Sequence, residues 1–284
     1  ADADASPSPM PDPAAAIDPT GWPGLRLTID DLRVNNAGLG RLTLIARRDG
    51  AGLSLQTLAL EGGSLKLDGQ GSWAQGPTGL QTKLAVKLDV PALGDFLVDL
   101  GYARQLEESP SNIEASLDWP GDPTQLHAST ISGDIALEIG AGRLAEVDPG
   151  VTRVVGLLNL NALTRRLTLD FSDFYKKGYT FDAIRGDFRL ADGKATTDNL
   201  IVEGPTGRIE INGTADLVDS SLDQRVRVTP DLDATLPIAG ALAGGPVAGI
   251  AVLVAQQVMA DKVDEINRFE YAVTGPWANP EIVQ

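Results

Sequence analysis

From Leu25 onward the chain alternates apolar and polar residues with a period of two. Leu25, Leu27 and Ile29 alternate with Arg26, Thr28 and Asp30, and Leu53 with Leu55, then Leu65 with Leu67, repeat the pattern. The clearest run sets Leu84, Val86, Leu88 and Val90 against Lys83, Ala85, Lys87 and Asp89. Ile135, Leu137 and Ile139 follow, then Ile209 with Ile211, and Val226 with Val228. Successive residues of a strand point to opposite faces, so these runs predict strands with one apolar and one wetted face. One-sided alternation argues for antiparallel pairing. Gly50 with Gly52, Gly62 with Gly63, Asp192-Gly193 and Asn212-Gly213 separate the runs as turn or bulge signals. Gly38-Leu39-Gly40 stands before a strand and reads as a hairpin turn.

Three stretches have helical spacing. Pro91 to Gln105 carries Leu93, Phe96, Leu97 and Leu100. Pro149 to Leu163 carries Val151, Val154, Val155 and Leu158, with Pro149 at a first-turn position after Asp148. The third, Leu236 to Ile266, contains an uncharged run from Ala234 to Ala260. Gly244-Gly245-Pro246 should break it into a short piece ending at Ala243 and a helix from Pro246 to Ile266. Leu242, Val247, Ile250, Leu253, Val254 and Val258 form its apolar stripe. Such a helix either packs across the open end of a sheet or touches a lipid surface.

Residues 1–24 are dominated by Ala, Asp and Pro, which prevents both helix and sheet ladder and predicts a linker or disordered lead-in to a single domain over 25–284. Trp73, Trp119 and Trp277 each stand at a strand end before a Pro-containing turn, a weak internal repeat of unequal spacing.

Composition narrows the function. Aromatics make up 5% of the chain, so aliphatic side chains must supply the core. The formal net charge of −16, with no basic cluster, makes nucleic acid a poor partner. There is no cysteine, which removes disulfides, thiolate metal sites and cysteine nucleophiles. The chain starts at Ala1 without a basic or apolar leader, so an anchoring segment is expected upstream.

Catalytic patterns are missing. His127, the one histidine, sits in a strand-like stretch and reads as a surface or turn residue. No nucleophile elbow, phosphate-binding loop or dinucleotide fingerprint occurs. Asp170-Phe171-Ser172-Asp173 lacks the ligand alternation of a calcium loop. The expectation is a protein without enzymatic activity, cofactor or metal.

Longer motifs carry a resemblance. Glu146-Val147-Asp148-Pro149-Gly150, Arg153 to Leu158, and Leu163 to Asp173 resemble the C-terminal region of the AsmA-like family, in its YhdP-type branch. Lys177 to Phe181, Leu236 to Pro246 and Val273 to Trp277 continue it. Thr164 departs from the family, which often has Pro there. The resemblance implies a long, curled antiparallel sheet forming an open apolar groove, with helices packed at the C-terminal end. It implies a periplasmic segment of an inner-membrane-anchored protein of a Gram-negative bacterium, passing glycerophospholipids toward the outer membrane. Leu84, Val86, Leu88, Val90, Ile135, Leu137, Ile139, Ile209 and Ile211 are then the groove candidates, and the Leu242–Val258 stripe a groove-end or membrane-contact candidate. A periplasmic scaffold that binds envelope proteins through sheet edges is the alternative.

Overall fold

The structure, a computed structural model, describes residues 19–104, 106–144, 179–205, 207–230 and 268–284. The segments predicted as helices over 149–163 and 236–266, with Leu242, Val247, Ile250, Leu253, Val254 and Val258, lie outside the described residues.

The strands are β1 (Leu25–Val34), β2 (Ala37–Asp49), β3 (Gly52–Glu61), β4 (Lys66–Gly76) and β5 (Gly79–Val90). After the helix α1 (Leu93–Asp99) come β6 (Leu106–Glu108), β7 (Ser111–Pro120), β8 (Ser132–Ile139), β9 (Gly142–Leu144) and β10 (Tyr179–Phe181). They are followed by β11 (Ala183–Ala191), β12 (Lys194–Gly204), β13 (Gly207–Asp216), β14 (Ser221–Pro230), β15 (Phe269–Pro276) and β16 (Glu281–Val283). Thirteen of them form one open sheet in the order β1-β2-β3-β4-β5-β7-β8-β11-β12-β13-β14-β15-β16, and β10, β9 and β6 form a small second sheet. Every pairing in both sheets is antiparallel, as one-sided alternation requires.

Within β1 to β5 and β11 to β14, consecutive strands are joined by short connections. Asp192-Gly193 closes β11 onto β12 with φ of 50° and 75°, the left-handed pair a tight hairpin needs. Other local expectations are corrected. Gly38, Leu39 and Gly40 lie inside β2, because Asn35 takes the left-handed conformation at φ 54° and makes the turn three residues earlier. Asn212-Gly213, expected as a turn or bulge, makes no turn: it lies inside β13 with an unbroken ladder to β14, while the pairing with β12 bulges beside it between Thr197 and Leu200. The predicted helix over 91–105 shrinks to α1, since Gly101 takes φ 97° and the chain then enters β6. His127 is exposed, but in the β7–β8 connection, which is a series of turns rather than a strand-like stretch.

Two clusters hold the fold. The larger packs Leu106, Leu144 and Phe181 of the small sheet with Ile139, Ile184, Leu200, Val202, Ile211 and Val226 of the large one. The smaller seats Leu93, Phe96 and Leu100 of the α1 region on Leu60, Val90, Leu39 and Ala37. At the opposite strand ends, Pro19–Gly21 form a 3-10 turn over β3 and β4. Trp22, just after it, meets Trp73 edge to face at 5.9 Å between ring centroids.

Candidate functional site: the apolar face of the large sheet

Cross-strand partners share a face, so the register shows which side chains stand together. Ile29, Leu42, Leu60, Leu67, Leu88, Ile113 and Leu137 form one unbroken aliphatic row across seven strands. A second row runs Val90, Ser111, Ile139, Ile184, Val202, Ile209, Val228 and Phe269. Between them and the far rim lie Leu58, Gly69, Val86, Ala115, Ile135 and Phe188. Leu84 is registered with Gly71 and Leu117, and Leu200, Ile211, Val226 and Tyr271 complete the face on the later strands. All nine strand residues named from the sequence therefore stand on one face. The row members Ile113, Leu117 and Phe188 were not singled out, although Ile113, Ala115 and Leu117 alternate with Glu114, Ser116 and Asp118 just as plainly.

This face has two zones. On β11 to β14 it is core: Ile184, Leu200, Val202, Ile211 and Val226 are at most 2% exposed. On β2 to β8 its middle is only half-buried, at Leu44, Leu58, Leu84, Val86, Leu88, Ile113, Leu117, Ile135 and Leu137. The strand ends around this middle are covered. Val90 and Leu60 lie under the α1 region, and Leu53, Trp73 and Trp119 are buried at the other rim. Two inward positions of β4 next to Trp73 are glycines, Gly71 and Gly69, and the neighbours close in on both: a Cβ on Gly69 would lie 3.0 Å from Val86 Cγ1. A Cβ on Gly71 would lie 2.2 Å from the Lys83 carbonyl oxygen, so β4 and β5 approach as they do only because that residue is glycine.

The opposite face is charged. Lys87 pairs with Glu114 at 2.7 Å, and Arg189 with Asp134 at 3.4 Å. A ladder runs from Glu138 through Arg185, Glu203, Arg208, Glu210 and Arg227 to Glu270, with links of 2.7 to 3.6 Å. The hydrogen bond from Arg227 holds the Glu270 carboxyl below the usual value, and the bond to Glu114 holds Lys87 above its own. An open concavity of about 1050 Å³ lies on this face, flanked by Asp68, Lys87, Glu114, Asp134, Asp187 and Arg189. Its charged flanks suit water rather than hydrocarbon. Among the described residues no group of three His, Cys, Asp or Glu side chains could hold a metal ion, and no helix is long and apolar enough to cross a membrane.

An open antiparallel sheet with one aliphatic and one charged face is the class that the fold defines. The YhdP protein family model matches residues 2–282, and the chain belongs to that family. It is similar to the intermembrane phospholipid transporter YhdP of Escherichia coli (strain K12), at 29% identity over 266 residues. The match covers 92% of this chain and 21% of that relative, so the chain spans about a fifth of the relative's length. No solved structure matches it.

Proposed function

We propose that this chain is a non-enzymatic lipid-conduit segment that carries glycerophospholipids along the apolar face of its large sheet, used as an open groove. The observation that carries this reading is the half-buried aliphatic middle of that face, bordered at both strand ends by covered rims. An acyl chain leaving a membrane exposes about 0.8 kcal/mol per CH₂, on the order of 12 kcal/mol for sixteen carbons. A continuous aliphatic surface offsets most of that, while the headgroup stays in water at the open side. Such a surface lowers the barrier to transfer and sets no direction.

The similarity to an intermembrane phospholipid transporter supports the same substrate class. In this reading the segment works in the periplasm of a Gram-negative envelope. An upstream anchor holds it to the inner membrane, and its C-terminal end faces the outer membrane. The helical stripe over 242–258 borders the groove end or contacts the membrane, and residues 25–284 act as one domain behind a linker.

Photo-crosslinkers at Ile135 and at Ala136 test the reading in cells, since these neighbours stand on opposite faces. Phospholipid should be captured from 135 and not from 136. Equal capture from both, or none from either, would overturn it. A second reading, a scaffold that binds envelope proteins through a sheet edge, draws on the exposed edge strand β1, where Leu25, Leu27 and Val34 are each at least 40% exposed. Protein adducts from β1 without lipid adducts from 135 would favour it.

A further inference from the structure

The rim that carries Trp73 holds polar groups that the conduit reading leaves unused. Trp73 is 8% exposed, and its Nε1 has no hydrogen-bond partner among the described residues. The other strand-end indoles are satisfied: Trp119 donates to the Asp122 carbonyl at 3.0 Å, and Trp277 to the Ser221 carbonyl at 2.9 Å. A buried donor without an acceptor is costly, and native proteins rarely keep one without a use.

The register places a cation beside it. Arg48, Leu53, Trp73, Thr82 and Trp119 are cross-strand partners in one row, so the Arg48 side chain shares the apolar face. Arg48 is exposed and joins no ion pair among the described residues. The neighbouring Asp49 is on the other face, where its carboxylate accepts from the Ala51 N–H at 3.1 Å. Two strand spacings separate Arg48 from Trp73, about 10 Å between Cα atoms, which an arginine and an indole edge close onto one tetrahedral anion. From Trp73 the inward residues of β4 continue as Gly71 and Gly69, which place no side chain of β4 between this rim and the half-buried middle. Trp22 lies edge to face on Trp73, is itself 41% exposed, and follows a single short turn.

We propose that Arg48 and the Trp73 N–H form a site for the phosphodiester of a glycerophospholipid whose acyl chains lie across Gly71 and Gly69 onto the half-buried middle, with Trp22 as its displaceable cover. The proposal rests on the conduit reading. It adds that the headgroup phosphate is held at one rim, so that lipid lies on the face in one orientation.

The test is calorimetric titration of the 284-residue chain with three probes: short-chain phosphatidylglycerol, the matching diacylglycerol, and inorganic phosphate. Phosphatidylglycerol should bind about tenfold more tightly than diacylglycerol, the effect of one charge-assisted hydrogen bond site. Trp73→Phe removes the N–H and keeps the ring, and Arg48→Gln removes an exposed charge without touching the core. Each should erase most of the preference while leaving diacylglycerol binding unchanged. Arg48→Gln keeps the test decisive even where a change at Trp73 disturbs the fold. Equal binding of the two lipids to the wild type overturns the phosphate site and leaves the conduit standing. So does a preference that survives both substitutions. Inorganic phosphate that binds as tightly as the lipid overturns the lipid source. Failure of both lipids to bind overturns the conduit reading itself.

Discussion

Val86→Asp separates the two faces most sharply. Val86 is registered between Gly69 and Ala115, with Ile135 one strand further, so it stands taller than both of its direct cross-strand neighbours. Among the described residues no cation on that face stands near 86: Lys83 and Lys87 point to the other side, and Arg48 lies at the rim three strands away. A half-buried valine contributes about 1 kcal/mol of transfer free energy. Partial desolvation of the new carboxylate adds roughly 1–3 kcal/mol. The sum, about 2–4 kcal/mol, is below the usual stability of about 5–15 kcal/mol for a folded domain, so the variant should fold. The carboxylate would sit in the path of every acyl chain. Urea unfolding should show the loss of stability, and native mass spectrometry should show bound phospholipid falling to background. Lys87→Gln is the control. It breaks the exposed pair with Glu114, which should change stability by at most about 1 kcal/mol and leave bound lipid unchanged. Lipid retained by Val86→Asp, or lost equally in Lys87→Gln, would refute the assignment of the apolar face as the lipid path.

The two zones of that face should differ in their response to truncation. Leu200→Ala, at a side chain 0% exposed, should cost about 2–5 kcal/mol in denaturant unfolding, whereas Leu84→Ala, half-buried, should cost less than about 1.5 kcal/mol and act mainly on bound lipid. A large stability loss at Leu84 would place it in the core instead. The charged ladder sets a pH dependence. Glu270 is held below its ordinary value of 4.5, chiefly by the Arg227 hydrogen bond, so its contribution is present above the unfolded value and is lost as pH falls through the folded one. The difference in melting temperature between wild type and Glu270→Gln should therefore shrink from pH 7 to about pH 3. A difference that grows on acidification would show that the pair does not stabilise the fold.

Much of this was legible in the chain itself. A period of two is a local property, so Leu84, Val86, Leu88 and Val90 declared their common face, and Lys83 and Lys87 the other, before any strand was paired. Low aromatic content, the −16 charge and the absence of cysteine pointed away from nucleic acid and thiol chemistry on composition alone. Register is different, because it depends on partners far along the chain. Leu84 and Leu200 both stand on the apolar face of a strand, yet one is half-exposed and the other sealed, a difference made by the elements packed above them. Asn212-Gly213 has the residues of a turn and became strand because β14 supplies an unbroken ladder. Arg48, Leu53 and Trp73 sit in separate strands with no shared motif, and only antiparallel pairing through two hairpins sets them in one row. Local alternation thus determined the chemistry of each face. The tertiary structure decided which part of the apolar face was left half-open and which polar groups stand at its rim, because cover and cross-strand neighbours are long-range.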